Sequence, residues 1–116
     1  MIVYVCSPYR AKIDEQFNKQ LEYTKAIAKE VVLAGHDVIV PHLYYTQFLD
    51  DEIVEEREMG ISSAINLLKT CDLLLINTKY GISEGMKQEI LHAELIPAIY
   101  NSDEMQLNSM LRGFKG

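Results

Sequence analysis

The sequence has few cysteines, no basic run and no long apolar segment. Its two cysteines, Cys6 and Cys71, lie far apart in apolar stretches, which predicts two buried thiols in a reducing compartment. The formal net charge is −6 and the lysines and arginines are scattered, so the clustered cations that polymeric nucleic acid or an anionic membrane surface requires are missing. No apolar run approaches the roughly 20 residues of a membrane-spanning helix, and no signal-peptide pattern is present. We therefore expect a cytoplasmic protein.

The bulk composition is that of an ordinary globular protein. Of 116 residues, 48% are hydrophobic and 24% are charged, which argues against disorder. A chain of this length buries roughly 65% of its unfolded surface. We predict a single domain over residues 1–116, folding alone or as a small oligomer.

Short β-rich runs alternate with segments of helical periodicity. The predicted strands cover residues 1–6, 37–40, 73–76 and 96–100, and the predicted helices cover about 15–33, 51–70, 83–95 and 103–111. Residues 42–51 are predicted to be a loop that could form a pocket wall. This alternation predicts a three-layer α/β domain, Rossmann-like and flavodoxin-like, with helices on both faces of a parallel sheet of four to five strands.

In such sheets, ligands bind beyond the carboxyl ends of the strands. The residues that follow the strands are therefore the candidate binding residues, namely Ser7, Pro8, Arg10, His42 and Asn77. His42 could contact a ligand or pack within its loop, and Tyr44 and Tyr45 could stack on a base or form a loop core. Asp72 and His36 precede strands, so we expect Asp72 at the opposite edge and His36 to be exposed.

The strongest local pattern is the segment that follows the third strand. Ser83, Gly85 and Met86 open a helix whose unpaired backbone N–H groups can bind an anion, and Glu89 follows on the same helix. A carboxylate there could attack an anomeric carbon or hold sugar hydroxyls. Taken alone, such a glutamate is more often a solvated surface residue.

Several stretches carry a resemblance to a known family. They are Val3-Tyr4-Val5-Cys6-Ser7-Pro8-Tyr9, Pro41-His42-Leu43, Leu49-Asp50-Asp51 with Glu56-Arg57 and Gly60, Cys71-Asp72, and Ser83-x-Gly85-Met86-x-x-Glu89-x-x-x-Ala93. Over residues 1 to about 100 the chain resembles the nucleoside 2-deoxyribosyltransferase superfamily, and more closely its small uncharacterised phage and bacterial members.

The resemblance implies roles for individual residues. Glu89 matches the nucleophilic glutamate, and Ser83 matches the phosphate-binding serine of the deoxynucleotide N-hydrolases. Tyr9, with Tyr4 as the alternative, falls near the tyrosine that steers the nucleophile. Arg10 could replace the backbone donors of a glycine-rich phosphate loop, which this chain lacks.

One catalytic position departs from the resembling family. The acidic residue on the helix before the third strand falls at about Ile61 or Ser62, so Glu58 or Asp51 would have to replace it. Without such an acid, loss of proton assistance would slow cleavage by on the order of 10²-fold or more.

Two functions therefore remain open. The first is N-glycosidic cleavage or deoxyribosyl transfer on a 2′-deoxynucleoside or its 5′-monophosphate. The second is a nucleotide-binding module that does not turn its ligand over. We expect no cofactor, and no metal, because no histidine pair has a metal-ligand spacing. The expected partners are a small nucleoside or nucleotide and, from the resemblance, a second copy of the chain in a homodimer or higher homo-oligomer. Arg57 beside Glu56 is interpreted only as a surface ion pair.

Overall fold

A four-stranded parallel sheet forms the centre of the molecule. The computed structural model describes residues 1–8, 14–50 and 52–101. Its strands are Ile2–Cys6 (β1), Asp37–Ile39 (β2), Leu73–Asn77 (β3) and Ala98–Asn101 (β4), in the order β2-β1-β3-β4 with every neighbouring pair parallel. This is the flavodoxin-like strand order, and it confirms the predicted fold class.

The helices follow the predicted alternation with one exception. They are Asp14–Leu33 (α1), Pro41–Tyr44 (α2), Val54–Leu68 (α3) and Glu84–His92 (α4), and a 3₁₀ turn covers Tyr45–Gln47. The helix predicted over 103–111 lies outside the described residues. None of the helices within the described ranges is long and apolar enough to cross a membrane.

The prediction of a loop over 42–51 is wrong for its first half, where α2 and the 3₁₀ turn form. Pro41 occupies the first turn of α2, where its fixed φ suits a helix and its missing N–H costs nothing. The rings of Tyr44, Tyr45 and Phe48 then contact one another edge-to-face, with centroids 5.1–5.8 Å apart. These contacts give the segment apolar packing of its own.

Each face of the sheet has its own apolar core, because successive strand side chains point to opposite sides. The core on the α1 face contains Val3, Val5, Tyr23, Ile27, Val31, Leu73 and Leu75. The core on the opposite face, beneath α3 and α4, contains Tyr4, Cys6, Leu68, Cys71, Leu74, Ile76, Met86 and Ala93. Both cysteines are therefore buried and free, as predicted.

Asp72 and His36 make their contacts at the amino edge of the sheet. Asp72 Oδ2 accepts a hydrogen bond from the backbone N–H of Ile2 at 2.8 Å, which places Asp72 at this edge as expected. His36, predicted to be exposed, is buried, and its Nδ1 lies 3.3 Å from the amino group of Met1. The sequence pattern missed this because the contact joins residues that are far apart in the chain.

Candidate active site

A cavity of about 400 Å³ opens at the carboxyl edge of the sheet between α2, α3 and α4. The wall formed by α2 and the segment after it comprises Pro41, His42, Tyr45 and Leu49. The α3 wall comprises Glu56, Arg57, Gly60, Ile61 and Ala64. The α4 wall comprises Ser83, Glu84, Gly85, Gln88 and Glu89.

The start of α4 is fixed by local sequence. Gly81 adopts φ +86 in the turn before the helix, a left-handed conformation that favours glycine. Ser83 is the N-cap, and its Oγ accepts a hydrogen bond from the Met86 backbone N–H at 3.2 Å. The Ser83 N–H in turn donates to Met86 Sδ at 3.4 Å. With Met86 buried in the core, the first turn of α4 is held against the sheet.

Glu89 is turned inward and is only 4% exposed. Its Oε1 lies 3.4 Å from Nε2 of His42. Its Oε2 has no hydrogen-bond partner among the described residues. This burial contradicts the interpretation of Glu89 as a solvated surface residue. A buried carboxylate oxygen without a donor also costs folding free energy.

Tyr4 is the aromatic residue that meets Glu89 from the sheet. Its hydroxyl is fully buried and faces the carboxylate without an aligned hydrogen bond. Burial, followed by the negative charge of Glu89, raises the pKa of Tyr4 far above its ordinary value. The phenol therefore stays protonated and can only donate to Glu89. Tyr9, the first choice for this role, lies outside the described residues.

Cys6 is not an activated nucleophile. Its thiol lies beneath α4, with Sγ 4.0 Å from the carbonyl oxygen of Met86. Burial, together with the nearby Glu89 charge, raises the pKa of the Cys6 thiol, whereas reactive cysteines have a lowered pKa.

Ser7 and Asn77 meet at the carboxyl ends of β1 and β3 but are not among the cavity-lining residues. Asn77 Nδ2 donates a hydrogen bond to Ser7 Oγ at 2.6 Å, and both residues are buried, as is Pro8. This hydrogen bond links the carboxyl ends of the two central strands. Arg10, predicted to bind with Ser7 and Pro8, lies outside the described residues.

Most of the other predicted site residues line the cavity, but Met86 does not. His42, Ser83, Gly85 and Glu89 line the cavity together. The Met86 side chain instead packs in the core beneath α4, because the third helical position faces the sheet.

The two candidates for the replacement acid do not enter the cavity in the described structure. Glu58 is exposed on α3 and is not among the cavity-lining residues. Asp51 lies outside the described residues. Ile61, one of the two positions at which the resemblance implies an acid, lines the cavity with an apolar side chain.

Arg57 lines the cavity although the sequence pattern did not mark it as a site residue. Arg57, Gly60, Ile61 and Ala64 recur at i, i+3, i+4 and i+7, which places them on one helix face, and that spacing was the available signal. No ion pair joins Arg57 to Glu56 in the described structure. Glu56 Oε1 instead accepts a hydrogen bond from the Asp50 backbone N–H at 3.1 Å. Tyr45, Gln88 and Glu84 also line the cavity.

Metal chemistry has no evident ligand set in the described structure. Across residues 1–8, 14–50 and 52–101, no group of three or more His, Cys, Asp or Glu side chains is placed to hold a metal ion.

Comparison with known proteins identifies the family and the fold. Residues 1–99 match the model of a family described as Domain of unknown function (DUF7768). The chain belongs to this family. No curated protein matches it in sequence. Among solved structures, a 2-deoxyribosyltransferase from the psychrotolerant bacterium Bacillus psychrosaccharolyticus is similar, with a TM-score of 0.64, 96% of each chain covered and 14% identity. This similarity confirms the nucleoside 2-deoxyribosyltransferase-like fold that the sequence motifs indicate.

Proposed function

We propose that this DUF7768 domain cleaves the N-glycosidic bond of a 2′-deoxynucleoside or its 5′-monophosphate, with Glu89 as the nucleophile. The observation that carries the proposal is the buried Glu89 carboxylate, whose Oε2 has no hydrogen-bond partner among the described residues and whose side chain lines a cavity of about 400 Å³. Cavities of this volume accommodate small organic ligands. A protein of the same fold is a 2-deoxyribosyltransferase, and the proposal assigns related chemistry to this chain.

In the first step Glu89 Oε2 attacks C1′ of the sugar and forms a glycosyl–enzyme ester. The C1′–N bond breaks, and its electron pair leaves with the base, which takes up a proton. In the second step water or another base attacks C1′, loses a proton and releases the Glu89 carboxylate. Hydrolysis and deoxyribosyl transfer differ only in this acceptor, and neither step uses a cofactor.

His42 and Tyr4 are proposed to position the nucleophile. His42 contacts Oε1, and Oε2 is the oxygen proposed to attack the sugar. The protonated Tyr4 hydroxyl restrains the same carboxylate from the sheet side. Holding a nucleophile in one orientation lowers the entropic cost of reaching the transition state.

The test is base release from the four common deoxynucleosides and their 5′-monophosphates, followed by chromatography. The wild type is compared with Glu89→Gln, which keeps the side-chain shape, and with Glu94→Gln, which removes an exposed carboxylate just beyond α4. We expect release by the wild type and by Glu94→Gln, and a loss of at least about 10³-fold in Glu89→Gln. Equal release by Glu89→Gln would overturn the assignment of the nucleophile.

A nucleotide-binding module without turnover is the second candidate. It is favoured by the apolar Ile61 side chain, which lines the cavity near the position at which the resemblance implies a proton-handling acid. Tight binding of a monophosphate by the wild type and by Glu89→Gln, with no base released by either, would support this candidate and exclude the enzyme.

The biological setting remains a prediction from the sequence. A cytoplasmic location and a homodimer or higher homo-oligomer suit a nucleotide-processing domain of this size. Size-exclusion chromatography with light scattering tests the assembly directly.

A further inference from the structure

We infer that Arg57 binds the phosphate of the ligand and makes the cavity selective for 5′-monophosphates over free nucleosides. The inference rests on the proposed function for the identity of the ligand, and it assigns a specificity role to a residue on α3.

Arg57 is a half-buried cation in the cavity wall whose guanidinium lacks a carboxylate partner within the described ranges. The nearby acids are engaged elsewhere: Glu56 Oε1 accepts from the Asp50 backbone, and Glu84 Oε1 pairs with Lys87 Nζ at 3.0 Å. Arg57 is also the fourth residue of α3, and a cation near a helix N-terminus opposes the helix dipole. No described contact therefore shows that Arg57 stabilises the fold, and we attribute its place in the cavity wall to ligand binding.

The topology places Arg57 beside the beginning of α4. Helix α3 leads into β3 and α4 follows it, so both helices run antiparallel to the strand and begin at its carboxyl edge. Arg57 lies about one turn into α3, whereas Glu89 lies about 7.5 Å beyond Glu84 along α4. Arg57 therefore shares the cavity mouth with the first residues of α4, and Glu89 lies deeper.

That mouth offers complementary donors for one phosphate. The N–H groups of Glu84 and Gly85 belong to the first turn of α4 and have no intrahelical acceptor. The Ser83 hydroxyl accepts from Met86 and keeps its own proton for donation. A guanidinium contributes two parallel N–H donors that match phosphate geometry. A phosphate held there leaves the sugar to extend toward Glu89, whose buried Oε2 is the independent sign of a ligand in this cavity.

Two of the acidic residues that line the cavity, Glu84 and Glu89, leave room for this phosphate. The Glu84 side chain is 88% exposed and paired with Lys87, so solvent and the ammonium group screen its charge. Glu89 lies at the sugar end of the cavity. A neutral nucleoside would leave the Arg57 guanidinium unpaired, so the arginine favours the charged ligand.

The experiment measures binding separately from turnover. Calorimetric titrations use Glu89→Gln as the parent and the four deoxynucleosides and their 5′-monophosphates as ligands, with inorganic phosphate as a competitor. Arg57→Gln and Arg57→Lys are added to this parent. Lys69→Gln, which removes one exposed positive charge at the other end of α3, is the matched control. Unfolding curves establish that each variant is folded.

We expect the parent to prefer the monophosphate and Arg57→Gln to reduce that preference by about 10- to 100-fold. Arg57→Lys keeps the charge but lacks the two parallel N–H donors, so its preference for the monophosphate should lie between those of the parent and Arg57→Gln. Lys69→Gln should show the same preference as the parent. A preference unchanged in Arg57→Gln overturns the inference, as does equal binding of nucleosides and monophosphates by the parent.

The outcomes also separate this inference from the proposed function. Arg57-dependent monophosphate binding by a wild type that releases no base supports the inference and overturns the enzyme. Glu89-dependent base release that is equal for nucleosides and monophosphates, and unchanged by Arg57→Gln, supports the enzyme and overturns the inference. Absence of both binding and release overturns both.

Discussion

The imidazole Nε2 of His42 lies 3.4 Å from Oε1 of Glu89, and the two residues come from separate βα connections. His42 follows β2 on α2, and Glu89 follows β3 on α4. Since both side chains are at least three-quarters buried, their contact is shielded from solvent. It joins two walls of the cavity at the carboxylate whose other oxygen, Oε2, is proposed to attack C1′.

The first prediction concerns the coupling between these two residues. In a double-mutant cycle, His42→Ala should destabilise the wild type more than it destabilises Glu89→Gln, because the truncation leaves a buried carboxylate without its imidazole partner. We expect an interaction free energy of about 1 kcal/mol from urea unfolding of the four proteins. Purely additive effects would show that the contact contributes nothing to stability.

The second prediction concerns Tyr4. Replacement of Tyr4 by Phe removes the hydroxyl that faces Glu89 and keeps the ring in the core. We expect kcat/KM for base release to fall by about 10- to 100-fold, as for loss of one hydrogen bond to a charged group, because a catalytic hydrogen bond that is poorly aligned in the free protein can tighten once substrate is bound. Stability should change by less than about 1 kcal/mol, because the hydroxyl makes no aligned hydrogen bond in the folded protein.

Tyr23→Phe is the matched control for that substitution. Tyr23 is also buried, but it lies in the core on the opposite face of the sheet. Its variant should keep wild-type kcat/KM. A similar loss of activity in both variants would indicate a general effect of altering the core rather than orientation of Glu89.

The third prediction is a loss of stability at alkaline pH. Burial raises the pKa of the Cys71 thiol from 9.0 to about 11, and the pKa values of Cys6 and Tyr4 are raised as well. Between about pH 9 and 11 the folded chain keeps the Cys71 proton that the unfolded chain releases. The unfolded state therefore binds fewer protons, and the free energy of unfolding falls as the pH rises through this window.

Urea unfolding at pH 7.5, 9, 10 and 10.5 measures this dependence. Cys71→Ala should show a shallower decline, with the remaining slope due to the other buried groups. A free energy of unfolding that stays constant or increases above pH 9 would contradict the prediction.

The fourth prediction concerns Gly60 in the α3 wall. A Cβ added at residue 60 would approach Leu49 Cδ1 to 3.3 Å, a tight contact with the end of a flexible side chain. Alanine also favours the helix over glycine by up to about 1 kcal/mol. We expect Gly60→Ala to raise the free energy of unfolding by about 0.5 kcal/mol while narrowing the cavity. The KM for base release should rise, and an unchanged KM would indicate that this face does not contact the ligand.

The sequence was most informative where its pattern is periodic and local. The β-rich run before Cys6 and the run from Leu73 to Ile76 predicted the two central strands, because strands covered on both faces are continuously apolar. The capping sequence at Ser83 predicted the start of α4. The alternation of strands and helices then predicted that Glu89 lies near the carboxyl edge of the sheet. These steps needed no knowledge of side-chain contacts.

The sequence was least informative about which side chains line the site. Side-chain orientation and contacts between residues distant in sequence decide this. Met86 stands in a motif of ligand-binding residues, yet the third position of α4 faces the core. Tyr4 lies within a strand that is apolar throughout, so the sequence did not show which face would carry its hydroxyl to Glu89. Arg57 follows Glu56 directly, and only the fold shows that Glu56 bonds the Asp50 backbone instead.

The two long walls of the cavity differ in how they are anchored. The first turn of α4 is fixed by its Ser83 cap and by Met86 in the core, so substitutions there would displace Glu89. The facing side chains of α3, such as Arg57 and Ile61, line the cavity without belonging to either core cluster. Substitutions on the cavity face of α3 can therefore alter the lining of the cavity while Glu89 keeps its place on α4.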